Sequence, residues 1–176
     1  MPPTETDEML MQRVAAGRLT ELAPLYARYK GPLLGFLLNR GSLDRATAED
    51  LLHTVFERII TYRTSWGAGQ TFRSWVYTIA RNVHHDHCRL AGRMPLAEAY
   101  DFGALPLEEE DTPTDCRGAL AALPDHYRVV VELAWQRNMK YAEIARVLDT
   151  TEANIKVRMH RACKRLRANY HSANKS

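Results

Sequence analysis

Cysteine is scarce in this chain: three in 176 residues, at Cys88, Cys116 and Cys163, with no CxxC pair among them. An odd, scattered set argues against a disulfide framework and for a reducing compartment. No apolar run approaches the roughly 20 residues that a membrane helix needs. The acidic start Met1-Pro2-Pro3-Thr4-Glu5-Thr6-Asp7-Glu8 lacks the basic-then-apolar pattern of a signal peptide. A cytoplasmic protein without membrane insertion is the expectation. Strand alternation and internal repeats are missing too, and the apolar spacing is helical throughout. No carboxylate-rich ligand set or general base accompanies the histidines, which argues against a metal-dependent hydrolase. Neither enzymatic activity nor a cofactor is expected.

The net charge of +3 conceals an uneven distribution. Residues 1–95 carry 12 Lys/Arg against 9 Asp/Glu, residues 96–115 none against 7, and residues 116–176 carry 12 against 5. A basic C-terminal part behind an acidic strip suggests a polyanion-binding module and a linker that must not stick to nucleic acid. The expected fold is all-α, with two small helical domains at 6–95 and 116–172 joined by an acidic linker at 96–115.

In the first domain a helix over 6–16 should bury Met9, Leu10, Met11 and Val14, with Gly17 ending it. Leu19, Leu22, Leu25, Tyr26, Tyr29, Leu33, Leu34 and Leu37 continue at three and four, with Gly31-Pro32 expected to kink or interrupt that helix. A third helix over 44–62 carries Leu51, Leu52, Val55, Phe56, Ile59 and Ile60, and Thr47-Ala48-Glu49-Asp50 resembles a capping box. After a glycine loop at 65–70, a fourth helix over 71–90 has Phe72, Trp75, Val76, Ile79, Ala80 and Val83 as its core face. In the second domain, helices are expected at 116–123, 125–136, 141–148 and 151–170, with corners at Asn138-Met139 and Asp149-Thr150.

The last two helices form the most specific pattern. Ile144, Ala145 and Leu148 face inward on the first, Ile155, Met159, Ala162 and Leu166 on the second, and small Ala145 permits the close crossing of a helix-turn-helix. The outer face of the second helix carries Lys156, Arg158, Arg161, Lys164, Arg165 and Arg167 against the single acid Glu152. Such a face contacts phosphates while its N-terminal side chains reach base edges in a major groove.

The fourth helix offers a second stripe opposite its core face: Ser74, Thr78, Arg81, Asn82, His85 and Arg89, all phosphate or base-edge donors. Tyr62, Trp66 and Phe72 cluster before it, and aromatics beside cations suit unstacked bases. Phe72 and Trp75 belong to the core; for Tyr62 and Trp66 packing and base contact both stand open. His84 and Cys88, at i and i+4, could be half of a zinc site, with His53 or Cys116 as further ligands but no second pair at ligand spacing. His87 fits a packed histidine, and His85 a phosphate contact. Cys116 and Cys163 read as small packing residues.

Two blocks carry a family resemblance. Ala48-Glu49-Asp50-Leu51-Leu52…Val55-Phe56 followed by Phe72…Trp75-Val76-Tyr77…Ile79-Ala80-Arg81-Asn82 resembles region two of bacterial sigma factors. Leu123-Pro124…Tyr127-Arg128-Val129-Val130…Tyr141-Ala142-Glu143-Ile144-Ala145…Ile155-Lys156-Val157-Arg158…His160-Arg161-Ala162…Leu166-Arg167 resembles region four. Their direct juxtaposition over about residues 7–170 resembles the extracytoplasmic-function (group four) subfamily. The resemblance implies a promoter-specificity subunit of core RNA polymerase whose region two opens the −10 element as single strand and whose region four reads the −35 duplex.

On that resemblance, Tyr62, Trp66, Ile79 and Asn82 would form the pocket for a flipped −10 base, with Asp86 further along the helix. Asn154, Lys156, Val157, Arg158, His160 and Arg161 would read the −35 element, with Thr151 and Arg165 on the same surface. Asp50, His53, Thr54, Glu57 and Arg58 would face the polymerase clamp helices. An anti-sigma factor is a further family expectation, and the acidic linker would line the polymerase's nucleic-acid channel. Where many members have Pro and Gly at the start of the recognition helix and Gly at the turn, this chain has Thr151, Ala153 and Asp149. Ala153 favours helix, and Thr150 or Thr151 can cap it. The alternative is a stand-alone helix-turn-helix regulator with a sensing N-terminal domain, against which the tandem arrangement weighs.

Overall fold

A computed structural model describes residues 5–40, 43–67, 69–92 and 117–173. The expected acidic linker at 96–115, and Cys116, lie outside the described residues. Helices account for all regular structure among the described residues, with no strand. The chain divides into two compact units, residues 1–96 and 97–176.

The first unit is built from α1 (Asp7–Ala15), α2 (Leu22–Leu38), α3 (Arg45–Thr61) and α4 (Phe72–Leu90), with 3-10 turns at Leu19–Glu21 and Arg63–Ser65. Three helices start on a side-chain cap. The Thr6, Asp44 and Thr71 oxygens accept from the backbone N–H of Met9, Thr47 and Ser74, satisfying donors that a helix start leaves open. Asp44, one turn before the expected box at Thr47, therefore starts α3. α2, α3 and α4 pack against one another and α1 lies across α2 and α4. Their core holds Leu10, Met11, Val14, Leu25, Leu33, Phe36, Leu37, Val55, Ile59, Phe72, Val76 and Ala80, essentially without solvent contact.

Edge-to-face pairs Tyr26–Phe56, Tyr29–Phe72 and Phe36–Tyr77, with centroids 4.8, 5.1 and 5.1 Å apart, tie α2 to α3 and α4. Polar ties set α1: Asp7 accepts from the Tyr29 hydroxyl at 2.5 Å and from Arg28 at 2.6 Å, and Glu8 accepts from the Phe72 backbone N–H at 3.2 Å. Burial and that carboxylate push the Tyr29 phenol well above its usual range.

Met9 departs from expectation in this unit, and the expected interruption at Pro32 does not occur. Met9 is exposed at 45%, at the edge of the arc that buries Leu10, Met11 and Val14. α2 runs unbroken through Pro32, because Gly31 has no Cβ to meet the proline ring and because Tyr29, Leu33, Phe36 and Leu37 keep one buried stripe across it.

The second unit holds α5 (Arg117–Ala121), α6 (Asp125–Val131), α7 (Tyr141–Val147) and α8 (Glu152–Ala173), with α6, α7 and α5 each packed on α8. The expected helix over 125–136 changes character midway, since Glu132–Gln136 is wound as a π-turn. Within it Glu132, only 3% exposed, pairs with Arg137 at 3.5 Å, a buried carboxylate that the apolar pattern does not show. Asn138 then turns the chain with φ 51°.

Candidate nucleic-acid interface

α7 and α8 meet through a tight corner. Asp149 adopts φ 51°, and the Thr150 N–H closes the turn on the Ala145 carbonyl at 2.9 Å. Asp and Asn are the non-glycine residues that best tolerate this left-handed conformation, which is how the corner forms without the glycine common in the family. The start of α7 is closed by Glu143, whose carboxylate accepts from the Lys140 N–H at 3.0 Å. The start of α8 is closed by Thr151, whose hydroxyl accepts from the Asn154 N–H at 3.2 Å, while the Asn154 amide donates to Thr150 Oγ1 at 3.1 Å. Ile144, Ala145, Val147 and Leu148 of α7 and Ile155, Met159, Ala162 and Leu166 of α8 are buried between the helices and α6.

Thr151, Lys164, Arg165 and Arg167 are exposed, and Asn154, Lys156, Val157, His160 and Arg161 are half-buried. Lys156 pairs with Glu152 at 3.4 Å, and the Arg165 guanidinium lies over the Tyr127 ring at 5.2 Å. Arg158 departs from the expected outer face. It is only 7% exposed, because three residues past Ile155 and four before Ala162 is a core-side position.

α4 presents the second surface. Asn82 and Arg89 are exposed and Thr78, Arg81, His85 and Asp86 half-buried, whereas Ile79 is 7% exposed and Ser74 2%. Ser74 is thus not part of the exposed stripe: its hydroxyl donates to the Thr71 carbonyl at 3.1 Å and serves the helix start. The Thr78 hydroxyl likewise returns to the Ser74 carbonyl at 2.8 Å. Beside the start of α4, Tyr62 is 54% exposed, and Trp66 is half-buried with an indole N–H shielded from water and no hydrogen-bond partner among the described residues. Tyr77, unassigned by the pattern, is buried at 1% against Phe36.

Asp86 holds two guanidinium groups. Arg58 of α3 donates to one carboxylate oxygen at 2.7 Å and Arg89 to the other at 2.8 Å. On α3, Asp50, His53 and Glu57 are exposed and Thr54 half-buried, with the Thr54 hydroxyl on the Asp50 carbonyl. Arg58 differs from these four in sending its charge across to α4. Spacing within one helix cannot reveal such a pair, whose members lie 28 residues apart. Cys88 and His84 do meet, with Sγ 3.6 Å from Nε2, but no group of three or more metal-ligating side chains occurs among the described residues.

The Sigma-70 region 2 family model matches residues 25–94, and the Sigma-70 region 4 model matches residues 117–166. The chain belongs to the extracytoplasmic-function sigma factors. The ECF sigma factor SigM of Bacillus subtilis is 28% identical over 153 residues, covering 83% of this chain and 93% of that protein. SigL of Mycobacterium tuberculosis is 29% identical over 170 residues, covering 89% and 94%. In fold the chain is similar to CnrH, solved with the cytosolic domain of CnrY, at TM-score 0.69 and 22% identity over 96% of this chain and 99% of that one. As a sigma factor it directs promoter-specific transcription initiation by RNA polymerase, and a stand-alone regulator is not favoured. Among the described residues no helix is long and apolar enough to cross a membrane.

Proposed function

We propose that the two units divide promoter recognition between them, the first trapping single-stranded −10 bases and the second docking on the −35 duplex. The observation that carries this reading is the contrast between the two surfaces. The α8 surface is cationic around a capped helix start, as duplex docking requires. The α4 surface joins a mixed donor stripe to an exposed Tyr62 and a shielded Trp66 N–H without a partner among the described residues, as suits bases removed from a stack.

Tyr62, Trp66, Thr78, Arg81, Asn82, His85 and Arg89 make the −10 surface. Thr151, Asn154, Lys156, Val157, His160, Arg161 and Arg165 make the −35 surface. Arg158 supports that surface from within. Asp50, His53, Thr54 and Glu57 of α3 face the polymerase. The acidic segment 96–115 is the linker between domains 6–95 and 116–172, its charge keeping it off DNA and toward cationic surfaces of the polymerase. Phosphoryl transfer belongs to the polymerase; this chain contributes binding energy and base capture in the cytoplasm. An anti-sigma partner is part of the proposal, supported by the complex of the sigma factor RpoE, a protein of similar fold, with the anti-sigma factor NepR.

The test is a holoenzyme reconstituted from the chain and core polymerase, with promoters recovered by run-off transcription from genomic fragments. Asn82→Ala and Trp66→Ala are expected to lower permanganate reactivity of −10 thymines while duplex binding persists. Normal strand opening in both variants would refute the division.

A further inference from the structure

We infer that Asp86 is a positioning residue for strand opening, an inference that rests on the surfaces assigned above. A carboxylate on a DNA-facing helix repels phosphate unless it is neutralised, yet Asp86 sits on the same helix as Arg81, Asn82, His85 and Arg89. Its geometry resolves the conflict. Both of its oxygens are engaged, by Arg58 Nη2 at 2.7 Å and Arg89 Nη2 at 2.8 Å, so the three groups together carry one positive charge.

The two contacts differ in kind. Arg58 and Asp86 are about one-third exposed, at 32% and 35%, and they bridge two helices that pack along one another. Arg89 is 77% exposed and lies one turn from Asp86 on α4, with one guanidinium nitrogen held and its other donors directed by that hold. Asp86 thereby fixes α4 against α3, the helix that faces polymerase, and aims Arg89 at the strand. Arg58 serves as its anchor and belongs to the DNA side of the unit in effect, although its backbone lies on the polymerase side.

The experiment uses the same holoenzyme and promoter with Asp86→Asn, Arg58→Ala, the double variant, and the swap Arg58→Asp with Asp86→Arg. Three readings are taken: permanganate reactivity, affinity for core polymerase, and thermal melting. Each single variant is expected to lower opening about three- to tenfold, within the coupling found for groups sharing an ion-pair network. The double variant should be no worse than either single, the swap, which rejoins α3 to α4 but leaves Arg89 without its carboxylate, should recover only part of the opening, and core affinity should stay within about twofold. Four results overturn the inference: opening lost in Asp86→Asn but intact in Arg58→Ala, additive losses, loss of core affinity in Arg58→Ala, or a fall in melting that tracks opening and persists in the swap. If Asn82→Ala and Trp66→Ala also leave opening intact, the −10 assignment itself fails, which is a separate result.

Discussion

Replacing Thr151 by alanine isolates what the start of α8 contributes. In the structure the Thr151 hydroxyl is the side-chain acceptor for the Asn154 N–H, at 3.2 Å and in an exposed setting. Threonine caps are generally worth about 0.5–2 kcal/mol, and a long, solvent-accessible bond belongs at the lower end, roughly 0.5–1 kcal/mol. For a unit of this size that loss lowers the melting temperature by about 2–8 °C. Fraying also releases Asn154, whose amide donates to Thr150 at 3.1 Å, so −35 duplex affinity should fall by about two- to fivefold through disorder of the first turn.

Thr151→Asp separates the two consequences. Aspartate restores the cap and favours the helix dipole, but brings negative charge to the surface proposed to dock on the −35 duplex. It should melt like the parent chain and bind duplex more weakly than Thr151→Ala. Calorimetry of the full chain and duplex titration at fixed salt supply the two readings. Equal stability of the alanine and threonine forms, or an aspartate form as unstable as alanine, would refute the capping argument.

Lys156→Ala and Arg161→Ala should each weaken −35 binding and reduce the salt slope of log affinity by about one, whereas Arg158→Ala should lower the melting temperature and leave that slope unchanged. Binding titrated across salt concentrations distinguishes these effects. Leu33→Ala, at a fully buried site in α2, should cost about 2–5 kcal/mol in denaturant unfolding of the first unit. Asp44 has its carboxyl held below the usual carboxylate range by hydrogen bonds from Thr47. Its depressed value means that the stabilisation is present above the normal carboxylate pKa and is lost as pH falls through the lowered one. Asp44→Asn, which caps without titrating, should therefore lose less α3 helicity on acidification, and parallel acid titrations followed by circular dichroism would contradict this.

Apolar spacing exposes the helices because each must bury one stripe, and those stripes occupy the cores of both units. Local rules mislead where packing overrides them. Pro32 is a helix breaker by residue type, yet the buried residues on either side continue the same face. Polarity alone assigns Ser74 and Arg158 to outer surfaces, although their spacing from core neighbours places them inward. The ion triad at Asp86 lay beyond reach for a different reason: opposite charges on separate helices gain meaning only once those helices are packed. The Trp66 indole shows the same limit, since a shielded donor cannot be told from a satisfied one by residue type.

Asn138 and Asp149 both occupy left-handed backbone at the two ends of α7. A codon change to valine or isoleucine at either corner would place a branched carbon where the chain resists it, tilting the short helix without altering any side chain of the proposed DNA surfaces. Loss of promoter choice can therefore arise from two sites that a search confined to base-contacting side chains would pass over.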